Sequence, residues 1–273
     1  MSTLLWRNLL YCFFILLSVM SYSQEQMSDG QTEMPYGGEG MPDNQKEIPD
    51  SARPQLALLL GTAGEKGWER FYELFGYGNA IALMQESSDF VWLLVYGGRM
   101  LSTPWPTVPR IALCVKTIVL KNTPAHTTFP DGEALITLDD KYVSTYPGSD
   151  DDVITEIEGV MYHEMTHVWQ WFGVKEFRPP GPLIEGIADF SRLKKGFASE
   201  NWVEPGQGYQ WDQKKNGVTV YFLEYCDRQE KPGIVADLNA KLKESWDESL
   251  FYELSGKSVG QLWRAYKRFY KEL

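Results

Sequence analysis

The sequence predicts an α+β fold in which a small mixed sheet is followed by a helical C-terminal part. Three observations carry this. Strand signals are confined to residues 56–138, and helical periodicity fills residues 68–96 and nearly everything after Ser149. The chain of 273 residues is also 43% hydrophobic, enough for one large domain with its own core.

In chain order, residues 1–23 contain no acid and one base, Arg7. An apolar run over residues 9–20 (LLYCFFILLSVM) precedes Ser21 and Ser23, small residues at the −3 and −1 positions. This is the pattern of a secretory signal cleaved after Ser23. The run falls short of the about 20 apolar residues that span a bilayer. The expectation is a secreted, extracellular protein with no stable membrane association after cleavage. Residues 24–55 carry seven acids against Lys46 and Arg53, with many Gly, Pro and Gln and few large apolar side chains. Such a stretch cannot offset its ordering entropy, and it reads as a disordered acidic tail or a propeptide. The folded domain is then 56–273.

Within it, residues 56–60 form a short strand candidate, and residues 68–96 a helix whose start is weakened by Gly76 and Gly78. Residues 110–120 (RIALCVKTIVL) are rich in β-branched side chains, and residues 133–138 (EALITL) give a further strand. If that last strand lies at the sheet edge, an extended peptide could pair with it by β-augmentation. Ser149 with Asp150, Asp151 and Asp152 caps a helix that should run to Phe172 and stop at Gly173. A second helix starts at Pro182. The terminal segment 257–273 is amphipathic, with Leu262, Trp263, Tyr266, Phe269 and Tyr270 as its core stripe.

The net charge of −11 repels phosphate backbones, which argues against a nucleic-acid partner. Ten tryptophans raise the idea of sugar stacking, but scattered positions favour core packing. Signal cleavage removes Cys12 and leaves Cys114 and Cys226, either as one disulfide or as two buried thiols. Oligomeric state is not encoded in any pattern.

The chemistry lies in His163-Glu164-Met165-Thr166-His167. Histidines at i and i+4 project from one helix face and can reach a single metal ion. Glu164 between them is rotated to where it can accept a proton from the attacking water. A catalytic zinc takes three protein ligands. The extended pattern with a third histidine fails, since Gln170 and Gly173 occupy its places and His126 lies upstream. Glu185, embedded with Asp189 in Pro182-Leu183-Ile184-Glu185-Gly186-Ile187-Ala188-Asp189-Phe190, is the preferred third ligand. Asp189 would then orient His163 through its second ring nitrogen, and is itself the alternative ligand. His126 has no role in this scheme.

The run from Val160 to Trp171 resembles the plant basic secretory proteins, the peptidases of plants and bacteria. The likeness continues through Leu183-Ile184-Glu185-Gly186-Ile187-Ala188-Asp189-Phe190, Trp211-Asp212-Gln213, Phe222-Leu223-Glu224-Tyr225-Cys226-Asp227, Pro232-Gly233 and Gly256-Lys257-Ser258-Val259. The resemblance implies a zincin-type metallopeptidase, secreted and linked in plants to defence, acting on peptide or protein substrates. It implies His163 and His167 as zinc ligands and Glu164 as the catalytic base. Two departures stand out. This chain is acidic where the family is named for basic members. Asn216 also stands near the place where relatives tend to carry a tyrosine, so that Tyr209 becomes the candidate donor to an oxyanion. The rival reading is a catalytically weak or inactive defence or binding protein on the same scaffold.

Overall fold

The computed structural model describes residues 48–271, apart from 49, 51–52, 63, 97–105, 119–122 and 175. The signal-like segment 1–23 and most of the acidic stretch 24–55 lie outside the described residues. Of that stretch, Ile48 is buried and Arg53 meets Asp89 at 3.1 Å.

Four strands form one sheet: β1 (Gln55–Leu58), β2 (Arg110–Lys116), β3 (Ala125–Thr128) and β4 (Ala134–Asp139). Their order is β1-β2-β4-β3, with β1, β2 and β4 parallel and β3 antiparallel to β4. Residues 111–115 of β2 are buried on both faces, which is why that strand reads as a continuous apolar run. The parallel β1–β2 pair needs a crossover, supplied by α1 (Lys66–Tyr96). This helix bends at Gly76, whose φ of 62° suits a residue without Cβ.

The helical half follows: α2 (Asp140–Thr145), α3 (Asp150–Trp169), α4 (Gly181–Lys194), α5 (Val218–Tyr225), α6 (Ile234–Leu242), α7 (Leu250–Ser255) and α8 (Val259–Phe269). Ser149 and Asp152 close a reciprocal capping box on α3, as the Ser-Asp-Asp-Asp run predicts. Val153, Ile157, Val160, Met161, Met165, Val168 and Trp169 bury the core face of α3. Polar ties fix its position: Tyr96 Oη donates to the Trp169 carbonyl at 2.6 Å, and Trp169 Nε1 donates to Ser88 Oγ at 3.0 Å. At Gly186 of α4, an added Cβ would lie 2.6 Å from the Thr219 side chain, so glycine permits the close approach of α5.

Several expectations need correction. The strand at residues 133–138 is not an edge: β4 is flanked by β2 and β3, and the edge next to it is β3. Four residues, Ala-His-Thr-Thr, carry too little hydrophobic alternation to announce β3 in the sequence. The helix capped by Ser149 ends at Trp169 with Gln170 as its cap, and Gly173 turns the following loop with a φ of 72°. Cys114 and Cys226 are both buried free thiols, so the disulfide alternative falls. Trp92, Trp169 and Trp211 are buried, and among the described residues no tryptophan counts among the large exposed apolar side chains. No helix of the described residues is long and apolar enough to cross a membrane.

Candidate metal centre

Helices α3 and α4 bring together what the sequence spaced 18 or more residues apart. His163 and His167 lie one turn apart on α3, and Glu185 faces them from the first turns of α4. His163 Nε2 is 3.1 Å from His167 Nε2 and 3.2 Å from Glu185 Oε2. Glu185 Oε2 is 3.7 Å from His167 Nε2. Among the described residues these three form the one group of His, Cys, Asp or Glu with ligand atoms within 4.8 Å of one another. A tetrahedral zinc with bonds of roughly 2.1 Å spaces its ligand atoms by about 3.4 Å. The donor set and the spacing therefore suit one small ion of that kind.

The outer nitrogens are engaged as a metal-binding histidine requires. His163 Nδ1 lies 2.8 Å from Asp189 Oδ1. His167 Nδ1 lies 2.6 Å from the Gln170 carboxamide. The atom at that distance is the amide nitrogen Nε2, while Gln170 Oε1 is buried without a partner. A metal on His167 Nε2 would require the proton on Nδ1, and turning the carboxamide over would bring the oxygen there to accept it. Burial alone would push His163 toward its neutral form, but Asp189 and Glu185 hold its pKa well above the ordinary histidine value. Burial likewise works against the charge on Glu185, yet the two histidines hold its carboxyl well below the usual carboxylate range. The site is thus organised for a carboxylate against positive charge.

Glu164 is buried, and its Oε2 accepts a hydrogen bond from Thr127 Oγ1 at 2.7 Å. The edge strand β3 thereby touches the Glu164 carboxylate directly. A second fastening lies behind the site, where Thr166 Oγ1 is 2.7 Å from Ser191 Oγ across the α3–α4 contact.

These groups open into a cavity of about 690 Å³ whose lining includes Thr127, His163, Glu164, His167, Glu185 and Asn216. At one wall a buried ion pair joins Arg192 to Glu156 at 2.6 Å, and Tyr142 Oη donates to the same carboxylate at 2.7 Å. Beside His167, Phe172 stands with its ring 6.2 Å from the imidazole and meets Phe129 at 6.4 Å. His126 also lines this cavity, with its Nδ1 buried and without a partner. Tyr209 does not: it is 75% exposed in the loop before α5 and is absent from the lining. Asn216 does line the cavity. Sequence reading missed Thr127 and Gln170. Gln170 had a faint signal, being three residues after His167 on the same helix face, whereas Thr127 had none.

Fold and site together define an α+β domain built around an HExxH helix, with a glutamate from the next helix closing on its two histidines. The chain belongs to the family described as Peptidase of plants and bacteria, which matches residues 56–266. No curated protein and no solved structure matches the chain at a significant level.

Proposed function

We propose that this protein is a secreted, zinc-dependent endopeptidase of zincin-like architecture. The observation that carries the reading is the convergence of His163, His167 and Glu185 around one point, with Glu164 beside it. The family's description as a peptidase supports the same reaction class. In this reading His163, His167 and Glu185 hold the metal, and Asp189 and Gln170 orient the two imidazoles. Bound there, zinc supplies Lewis acidity toward water and a peptide carbonyl. Glu164 accepts the proton of the attacking water and passes it to the leaving amine. Thr127 keeps that carboxylate turned toward the cavity. The peptide lies extended along β3, the free edge nearest the site, and not along β4. Secretion rests on the signal-like residues 1–23.

Two substitutions test this. Glu164→Gln should retain zinc and lower cleavage of unfolded casein by about 10²–10⁴-fold, the usual worth of a general base. Glu185→Ala should lose zinc as read by metal analysis. Unchanged cleavage in the first variant, or unchanged metal content in the second, would overturn the assignment.

One observation favours a second reading, a weakly active or inactive defence or binding protein on the same scaffold. Among the described residues the one tyrosine lining the cavity, Tyr142, is already bonded to Glu156, and Tyr209 stands outside. A zinc-loaded protein that releases no peptides from casein would establish that alternative.

A further inference from the structure

A second cavity, of about 290 Å³, adjoins the metal centre on the side of α5. Its lining includes Glu185, Asp189, Gln213, Lys214, Lys215 and Asn216. Glu185, Asp189 and Asn216 line both cavities, so a peptide bound at the centre can extend from one into the other.

The hydrogen-bonding inventory of this pocket is one-sided. Each of its two carboxylates meets a histidine through one oxygen, Asp189 Oδ1 at His163 and Glu185 Oε2 at both His163 and His167. The Gln213 oxygen accepts from the Tyr209 N–H at 3.0 Å, which leaves the amide N–H groups of that side chain open. The Thr219 hydroxyl, also in the lining, donates to the Trp211 carbonyl at 2.8 Å. Among the described residues neither Lys214 nor Lys215 has a carboxylate within ion-pair distance, although the chain holds 37 acids against 26 bases. Of the thirteen described lysines, five find one, Lys194, Lys195, Lys231, Lys241 and Lys257, so what marks Lys214 and Lys215 is their place together in this lining. Two cationic side chains and the Gln213 amide thus line a concavity whose carboxylates each already meet a histidine. An acceptor-only anion satisfies such a set, and a carboxylate does so without displacing any existing bond.

We propose that this pocket is a substrate subsite for a carboxylate, read by Lys214 and Lys215, so that the enzyme selects peptides bearing negative charge next to the scissile bond. This rests on the peptidase reading given above. The carboxylate has two sources, an Asp or Glu side chain or the free C-terminus of a peptide.

Matched fluorogenic peptides separate them. One pair differs by Glu against Gln within a C-terminally amidated peptide. A second pair lacks acids and differs by a free against an amidated C-terminus. The zinc-loaded protein should cleave one charged member with kcat/KM about tenfold above its neutral match, the worth of roughly 1.4 kcal/mol. The Glu pair identifies a side chain, and the other pair a terminus. In the charge-reversed Lys214→Glu/Lys215→Glu variant that advantage should vanish and a Lys-bearing peptide should gain, which loss of folding could not produce. Equal rates within both pairs, or an advantage unchanged by reversal, would overturn the inference while leaving the peptidase reading standing.

Failure to cleave any peptide would instead remove the peptidase reading. Anisotropy titration of the same peptides against the Glu164→Gln variant, with and without the lysine reversal, then reads the pocket by itself. Tighter binding of a charged member that disappears on reversal sustains the subsite, and equal binding overturns it.

Discussion

Thr127 shows how one hydroxyl can couple substrate binding to chemistry. It lies on the edge strand proposed to pair with a peptide, and its Oγ1 donates to Glu164 Oε2 at 2.7 Å. The same oxygen stands 3.2 Å from the Glu164 carbonyl, so the hydroxyl hydrogen points to the carboxylate over the longer alternative. Without that donor a buried carboxylate is free to turn and is less well solvated. Thr127→Val should therefore lower kcat about tenfold with KM and zinc content little changed, and Thr127→Ser should restore most of the loss. Equal loss in the Ser and Val variants would mark Thr127 as merely structural. At this scale the sequence singled out His163, Glu164, His167, Glu185 and Asp189, which the structure brings together, because each sits at helical spacing in an apolar run where a polar residue needs a reason. It could not reveal Thr127, since a threonine in a short strand is ordinary and its partner lies 37 residues away.

Among elements, α3 is the organiser, and its contact with α1 and α4 carries a pH dependence. Tyr162 Oη on α3 donates to Glu86 of α1 at 2.9 Å, and Lys195, next after α4, meets the same carboxylate at 2.8 Å. Glu158, one turn before Tyr162, lies close to this group. Burial, together with the charge on Glu86, raises its pKa, and Lys195 offsets that only in part. A carboxyl raised in the folded state contributes stability that is complete below its unfolded pKa of about 4.3 and is lost as pH rises through the folded value. The negative charge on Glu158 is thus a net cost to folding at neutral pH. Glu158→Gln should raise the thermal midpoint at pH 7 and leave it nearly unchanged at about pH 3, where the carboxyl is almost wholly protonated in both folded and unfolded chains. A lower midpoint at pH 7 would contradict this. The ends of α3 also show which parts of an element were legible. Its start is fixed by a local capping box, readable from Ser149 and Asp152 alone. Its end is set by the tertiary role of Gln170, which leaves the helix to reach His167 and is itself buried, so the glycine three residues later misleads.

For the whole molecule, the proposed metal centre would be a clasp between two helices that the chain joins by an eleven-residue loop, residues 170–180. In α3 and α4 the core faces were readable from periodicity, and so was the convergence of Glu185 on the histidines. The four-stranded order was not readable, because pairing across β2, β4 and β3 depends on contacts remote in sequence. An ion held by His163 and His167 on one helix and Glu185 on the other binds the folded chain and not the unfolded one, so it stabilises by mass action. At a free zinc concentration about 100-fold above Kd this amounts to roughly 2.7 kcal/mol. In a domain of this size that corresponds to a rise of about 5–10 °C in the unfolding midpoint. Zinc-loaded protein should show this gain over chelator-treated protein in calorimetry. Glu185→Ala should lose most of it, since the clasp then has no ligand on α4. Glu164→Gln should keep it, because Glu164 is not among the three residues whose ligand atoms converge. A zinc-dependent shift of equal size in the Glu185→Ala variant would place the second helix outside the metal site. The ligand on α4 would then have to be sought at Asp189, which already bridges the two helices through His163.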